Sequence, residues 1–193
     1  MNTEKKPLAH CTPEEAGVPS AAVEAYVRAV IDQKAALHSM LILRRNRLIF
    51  EGYWKPMDEN FRHRLYSCSK SFVSCAVGML IERGQMSLED KAISFFPDKA
   101  PAHPHPWLAE MTIRDLLRMS TCYEKGASYR PSDPDWEKTF FTDEISHKPG
   151  MVFSYCTTAT TMLCMIIKRV SGMEFTQVLR PVFDEIGISD ELY

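Results

Sequence analysis

Ser67 and Lys70 lie three residues apart in segment 66–72, YSCSKSF, and could together perform nucleophilic chemistry. Apolar residues recur at helical spacing after Lys70, which predicts a buried helix that starts near Ser67 and stops near Gly84. Side chains at positions i and i+3 share a helix face, so the lysine amine can lie beside the serine hydroxyl. A serine hydroxyl becomes a nucleophile when a neighbouring base takes its proton. Burial and the positive end of the helix dipole both disfavour an ammonium ion, which would suit Lys70 to act as that base.

The S-x-x-K pattern alone is weak, because about one such pair is expected by chance in a chain of this composition. In the alternative interpretation, Ser67 only caps the helix and Lys70 is an exposed residue of its first turn. Cys68, beside the candidate nucleophile, is interpreted as a small residue that suits a helix rather than as a catalytic thiol. The decision between these interpretations depends on the rest of the chain.

A second candidate site follows the Pro149-Gly150 turn, where Tyr155 stands at the start of an apolar helix. Tyrosine has a pKa of about 10 and becomes a usable base only if a nearby cation stabilises the phenolate. Lys70 could be that cation, and Tyr155 could in turn keep Lys70 unprotonated. In the alternative interpretation, Tyr155 is an amphipathic residue at a helix entrance.

The elements that must position these residues are a helix, a hairpin and then helices only. Segment 12–33 has the apolar spacing of an amphipathic helix, and apolar runs at 39–43 and 48–54 around a polar turn predict a β-hairpin. Later segments predict a helix over 113–119 capped by Thr112, a helix over 158–170 that ends at Gly172, and a last helix from Glu174; loops are predicted at 97–106 and 122–134.

Composition excludes several classes of function. The chain has 193 residues, of which 45% are hydrophobic, enough for the core of one ordinary domain. Its net charge of -2 and interspersed charges argue against a nucleic-acid partner, and no apolar stretch predicts a secretory signal or a membrane span. Six cysteines without close pairing favour a reduced, cytoplasmic protein. His103 and His105 in a proline-rich loop have no carboxylate or thiol nearby in sequence, so we expect no metal site there.

The chain resembles the serine β-lactamase-like hydrolases, the family of class C β-lactamases, DD-peptidases and related esterases and amidases. Segment 67–70, SCSK, matches the first motif of the family, and segment 155–157, YCT, matches the second motif, Tyr-x-Asn. Connecting phrases also match the family, at 88–91, 112–120, 149–150 and 170–172. Segments 12–17 and 37–39 fit a branch commonly called simply serine hydrolases.

This resemblance implies the roles of the site residues. Ser67 would attack an acyl carbonyl of a small ester or amide and form an acyl-enzyme, and its backbone N–H would belong to the oxyanion hole. Lys70 and Tyr155 would share the work of general base, and which of them takes the proton stays open. No cofactor or metal is needed by this chemistry. Thr157 stands where the family has a substrate-binding asparagine, and its shorter, single-donor hydroxyl makes β-lactam or peptide recognition doubtful.

The third motif of the family, Lys-Thr-Gly or His-x-Gly, lies on a strand after the helical region, and the sequence stops before it. We therefore expect residues 1–193 to be the N-terminal part of one β-lactamase-like domain, an α+β fold with a helix and two strands of an antiparallel sheet in 1–56 and a mainly helical region in 57–193. By the resemblance, that strand supplies the second oxyanion-hole N–H and pairs with the N-terminal strands. Its loss would remove one oxyanion donor and leave sheet edges bare, which predicts poor activity and association into homo-oligomers. The rival interpretation is a catalytically incompetent truncated or scaffold protein of the same family.

Overall fold

The structure is a computed structural model that describes residues 8–125 and 134–188. The chain divides into two compact units, one that runs to Arg64 and one from Leu65 onward. The described residues form eight α-helices and one three-stranded sheet, so the predicted α+β fold is confirmed. The second part of the predicted loop at 122–134 lies outside the described residues.

The first unit contains the predicted hairpin. Strands β2 (Ser39–Arg44) and β3 (Arg47–Tyr53) pair antiparallel, with a register shift between Ile42 and Leu43. The two turn residues, Arg45 and Asn46, have φ of 50° and 59°, the left-handed pair of angles that a tight hairpin turn requires. The hairpin prediction is therefore confirmed.

A third strand was not predicted. β1 (Ala9–His10) pairs parallel with the start of β3, which gives the sheet order β1-β3-β2. Two residues are too few for a recognisable alternation of apolar and polar side chains. Within the described chain, β2 has no neighbour on its outer side.

Helix α1 (Ser20–Asp32) completes the first unit and begins later than predicted. Glu14–Ala16 form a separate 3₁₀ turn, and Gly17 ends that turn at a φ of 76°. Pro19 is extended at ψ of 130°, which places the helix start at Ser20.

The second unit is helical. Its α-helices are α2 (Ser69–Glu82), α3 (Pro106–Glu110), α4 (Ile113–Leu117), α5 (Trp136–Phe141), α6 (Thr157–Ser171), α7 (Phe175–Val178) and α8 (Arg180–Glu185). Short 3₁₀ helices lie at Tyr66–Cys68 and Ala92–Phe95. The predicted caps are confirmed: Thr112 and Asp115 form a capping box on α4, and Gly172 ends α6 at a φ of 72°.

The core of the second unit lies along α6, against which α2 and α4 pack. Each of these helices buries the apolar face that its spacing predicts; on α2 this face is Val73, Ala76, Val77 and Leu80, and on α6 it is Ala159, Met162, Leu163, Ile166 and Ile167. No helix among the described residues is long and apolar enough to cross a membrane.

Candidate active site

Ser67 lies in the 3₁₀ turn Tyr66–Cys68 that leads into α2. Tyr66 has a φ of 45°, and the Ser69 hydroxyl donates to its carbonyl oxygen at 2.6 Å. A left-handed residue other than glycine costs roughly 1–2 kcal/mol. The turn leaves Ser67 exposed and makes Cys68 the N-cap of α2, so the interpretation of Ser67 as a simple cap is wrong.

Two polar side chains meet at the Ser67 hydroxyl. Lys70 Nζ donates to Ser67 Oγ at 3.2 Å, and Tyr155 Oη donates to the same oxygen at 2.6 Å. Lys70 Nζ is also 5.3 Å from the centre of the Tyr155 ring. Both hydrogen bonds have the heavy-atom separation over which a general base can take a proton. The structure thus brings together the three residues that the sequence analysis singled out.

The segment before Tyr155 is fixed by backbone hydrogen bonds to the residues that follow α4. The Gly150 N–H donates to the Ser120 carbonyl at 2.7 Å, and the Ser154 N–H donates to the Met119 carbonyl at 2.9 Å. These contacts tie the tyrosine segment to the core, because α4 packs on α6. The Pro-Gly turn was the sequence signal for this segment, but its partners are not visible in the sequence.

Gly150 is required where it stands. Its φ is 83°, and a Cβ there would lie 3.2 Å from Asp115 Oδ1. Asp115 is itself held, because its Oδ2 accepts from the Thr112 N–H at 2.9 Å and from the Thr112 hydroxyl at 2.7 Å. The capping box of α4 and the turn that leads to Tyr155 are therefore in close contact.

The environment of Tyr155 favours its anion. The hydrogen bond with the Ser67 hydroxyl, followed by the one with Lys70, lowers the pKa of Tyr155 from its ordinary value, and the Thr157 hydroxyl adds to this. A neutral tyrosine donates to Ser67 Oγ, whereas a phenolate would accept from the same hydroxyl. Tyr155 is 52% exposed, so solvent screens part of this effect.

The Ser67 backbone N–H is available to a ligand. None of the hydrogen bonds among the described residues uses it. It stands two residues before α2, a helix of 14 residues whose dipole places partial positive charge at this end. This is the oxyanion donor that the resemblance assigns to Ser67.

Thr157 is the first residue of α6 and is exposed, beside Tyr155. The N-cap of α6 is Cys156, whose sulfur accepts from the Ala159 N–H at 3.3 Å. Sequence reasoning missed this cap, because cysteine is not among the residues that usually cap helices.

The other residues considered for chemistry have different surroundings. His105 Nδ1 accepts from the Trp107 N–H at 3.1 Å and caps α3, which gives this histidine a local structural role. No cluster of three or more metal-ligating side chains occurs within residues 8–125 and 134–188. The six cysteines are free, and Cys68 is exposed.

The fold and the Ser67 cluster define a class, the serine β-lactamase-like proteins. Residues 21–190 match the family model described as Beta-lactamase. The chain belongs to this family.

Curated relatives and solved structures agree with this assignment. The chain is 26% identical over 179 residues to a fimbrial assembly protein FimD, serogroup H1, of Dichelobacter nodosus, covering 83% of this chain and 45% of the relative. It is 24% identical over 162 residues to the 6-aminohexanoate-dimer hydrolase of Paenarthrobacter ureafaciens, covering 76% of this chain and 41% of that one. The structure of EstCE1, a hydrolase with promiscuous acyltransferase activity, matches with a TM-score of 0.68 at 20% identity, over 87% of this chain and 51% of EstCE1. The chain thus spans about half the length of these proteins.

Proposed function

We propose that this protein is a serine hydrolase that cleaves an ester or amide bond of a small molecule through an acyl-enzyme. The observation that carries the proposal is the convergence of Lys70 Nζ and Tyr155 Oη on Ser67 Oγ, at 3.2 and 2.6 Å. A serine nucleophile needs a proton acceptor within hydrogen-bond reach, and Lys70 and Tyr155 both lie at this distance.

In the proposed reaction, Ser67 Oγ forms a bond to the acyl carbon while its proton passes to Tyr155 or Lys70. Negative charge develops on the acyl oxygen, which the Ser67 N–H can stabilise. The acyl–leaving-group bond then breaks, and the leaving group receives the proton. A water molecule then gives a proton to the same pair and attacks the acyl carbon. The bond from that carbon to Ser67 Oγ breaks, Oγ takes the proton back from the pair, and the acid is released.

The relatives support an ester or amide substrate without fixing it. One relative is named as a 6-aminohexanoate-dimer hydrolase, and EstCE1 is named as a hydrolase with promiscuous acyltransferase activity. Thr157 has one hydroxyl where the resemblance places an asparagine, so we propose a substrate that demands fewer hydrogen bonds than a β-lactam or peptide.

The test is the intact mass of the protein after exposure to a fluorophosphonate, which phosphonylates activated serines. We expect one adduct, which is lost in Ser67→Ala and retained in Ser71→Ala. Ser71 is the matched control, because it is an exposed serine of α2 four residues after Ser67. No adduct on folded wild-type protein, or an adduct that persists in Ser67→Ala, would overturn the proposal.

The rival function is a non-catalytic role in an assembly. It is favoured by the 26% identity to a protein named for fimbrial assembly. The labelling experiment separates the two functions, because a scaffold has no reason to keep Ser67 reactive.

A further inference from the structure

The side chain of Tyr155 is placed accurately although it is not enclosed by the core. The side chain is 52% exposed, yet its Oη lies 2.6 Å from Ser67 Oγ. A hydrogen bond weakens steeply when its distance and angle depart from the optimum. Because packing alone does not hold an exposed ring, the main chain that carries Tyr155 must be fixed.

The residues on either side of Tyr155 are both anchored. Cys156 follows it, is buried in the core of the second unit, and caps α6 through the hydrogen bond from the Ala159 N–H to its sulfur, at 3.3 Å. Ser154 precedes it, and its hydroxyl donates to the Glu124 carbonyl at 2.6 Å. The exposed Tyr155 therefore lies between two residues that are tied to the protein.

The Ser154 anchor consists of two hydrogen bonds to different acceptors. Its N–H donates to the Met119 carbonyl at 2.9 Å, and its hydroxyl donates to the Glu124 carbonyl, five residues further along. A single hydrogen bond can act as a pivot, whereas a second bond to a separate acceptor fixes the direction in which the chain continues. Every residue except proline has the N–H, but the hydroxyl is specific to this serine.

We propose that Ser154 is a positioning residue, whose hydroxyl holds the main chain so that Tyr155 Oη meets Ser67 Oγ. The catalytic meaning of this inference rests on the proposed function, but the placement of the phenol can be measured without it. Ser154 belongs to neither of the motifs at 67–70 and 155–157. The alternative is a hydroxyl that only stabilises the fold, which predicts a loss of stability without any effect on Tyr155.

The first measurement is the titration of Tyr155 by NMR of protein with ¹³Cζ-labelled tyrosine. The chain has seven tyrosines, and Tyr155→Phe identifies the signal. The charged group that faces this phenol is Lys70 of α2, and hydrogen bonds with Ser67 and Lys70 lower the pKa of Tyr155. Displacement of the phenol weakens both bonds, so its pKa should be higher in Ser154→Ala than in the wild type. Ser154→Thr keeps the hydroxyl and should titrate as the wild type does.

Ser171→Ala is the matched control. The Ser171 hydroxyl donates to the Ile167 carbonyl at 2.7 Å, at the end of α6 opposite to Tyr155. The control removes the same kind of hydrogen bond from the same unit and should leave the titration of Tyr155 unchanged. Ser154→Cys is a second variant for the case in which Ser154→Ala does not fold, because it has nearly the same size and a weaker donor. It should shift the pKa of Tyr155 in the same direction.

The second measurement is the rate at which the fluorophosphonate labels Ser67. Misplacement of a reacting group by 1 Å can cost about 10²-fold, so we expect Ser154→Ala to slow labelling by about 10–10²-fold. If the hydroxyl acts through the phenol, the same change should have little further effect in Tyr155→Phe.

Three results would overturn the inference: an unchanged pKa of Tyr155 in folded Ser154→Ala or Ser154→Cys, an equal shift in Ser171→Ala, or equal slowing by Ser154→Ala in the wild type and in Tyr155→Phe. The absence of any adduct on the wild type would instead overturn the proposed function. In that case the NMR titration still decides whether Ser154 places the phenol.

Discussion

Replacement of Tyr155 by phenylalanine tests the proposed base most directly. The change removes the oxygen 2.6 Å from Ser67 Oγ and keeps the ring beside Lys70. A positioned general base contributes about 10²–10⁴ in rate, which corresponds to roughly 3–5 kcal/mol of barrier. We expect Tyr155→Phe to slow the phosphonylation of Ser67 by that factor.

Lys70→Met is the companion change, since it removes the other group that contacts Ser67 Oγ. If the lysine and tyrosine share one proton, either single variant disables the pair. The double variant should then be hardly slower than the slower single variant, because residues that act as a unit are strongly non-additive. Second-order labelling rates from intact-mass time courses measure all four proteins of this cycle.

The titration of Tyr155 predicts how the labelling rate depends on pH. Hydrogen bonds with Ser67 and Lys70 lower the pKa of Tyr155. The phenolate fraction of Tyr155 rises with pH as for any tyrosine, but the rise is complete at a lower pH than for an ordinary tyrosine. The labelling rate should rise in the same way. In Lys70→Met the rise should move to higher pH, because one of the groups that lowers the pKa of Tyr155 is gone.

Three results would refute this reasoning. A Tyr155→Phe rate within threefold of the wild-type rate would show that the phenol takes no proton. Simple multiplication of the two single effects in the double variant would show that Lys70 and Tyr155 act independently. A pH profile that does not change in Lys70→Met would show that the lysine does not affect the titration of Tyr155.

Three further predictions concern stability and association. Asp115→Ala leaves the Thr112 N–H and hydroxyl without their carboxylate and should reduce the free energy of unfolding by about 1–2 kcal/mol in urea titrations. Arg169→Leu removes the 2.6 Å ion pair between Arg169, whose side chain is 30% exposed, and Glu137, whose side chain is 17% exposed. The free energy of unfolding should fall by about 1 kcal/mol, which would be measured as a melting temperature lower by roughly 2–4 °C. Because β2 has no outer neighbour in the described chain, we expect concentration-dependent association in light scattering, and Leu43→Lys should weaken it; a wild-type monomer at all concentrations would contradict this.

The features predicted correctly from the sequence depend on neighbouring residues. The cap on α4 requires only Thr112 and Asp115, three residues apart, and the end of α6 requires only a glycine that accepts a φ of 72°. The hairpin requires only two apolar runs and a turn that contains Asn46. Each is decided within a few residues of chain.

The features that sequence reasoning missed depend on contacts between segments far apart in the chain, or on residues that end or delay a helix within an apolar pattern. Strand β1 exists only because the start of β3 is available to pair with it. The predicted helix over 12–33 begins only at Ser20, because Gly17 ends a separate 3₁₀ turn and the extended Pro19 precedes the helix. The predicted helix over 113–119 ends at Leu117, and Met119 takes a φ of 53° so that its carbonyl can receive the Ser154 N–H. The tyrosine segment is therefore secured by a departure from helical geometry that the apolar pattern does not show.

The contacts at Ser67 bear on nucleophilic attack, which is the first step of the proposed reaction. Lys70 and Tyr155, which we propose as the proton acceptors, both contact Ser67 Oγ, and all three residues belong to the second unit. A fluorophosphonate needs only one attack, whereas hydrolysis passes through two oxyanions, one in acylation and one in deacylation. The covalent probe should therefore report the reactivity of Ser67 even where ester turnover by the same protein is slow, and for this reason labelling, not turnover, decides whether the site is a working nucleophile.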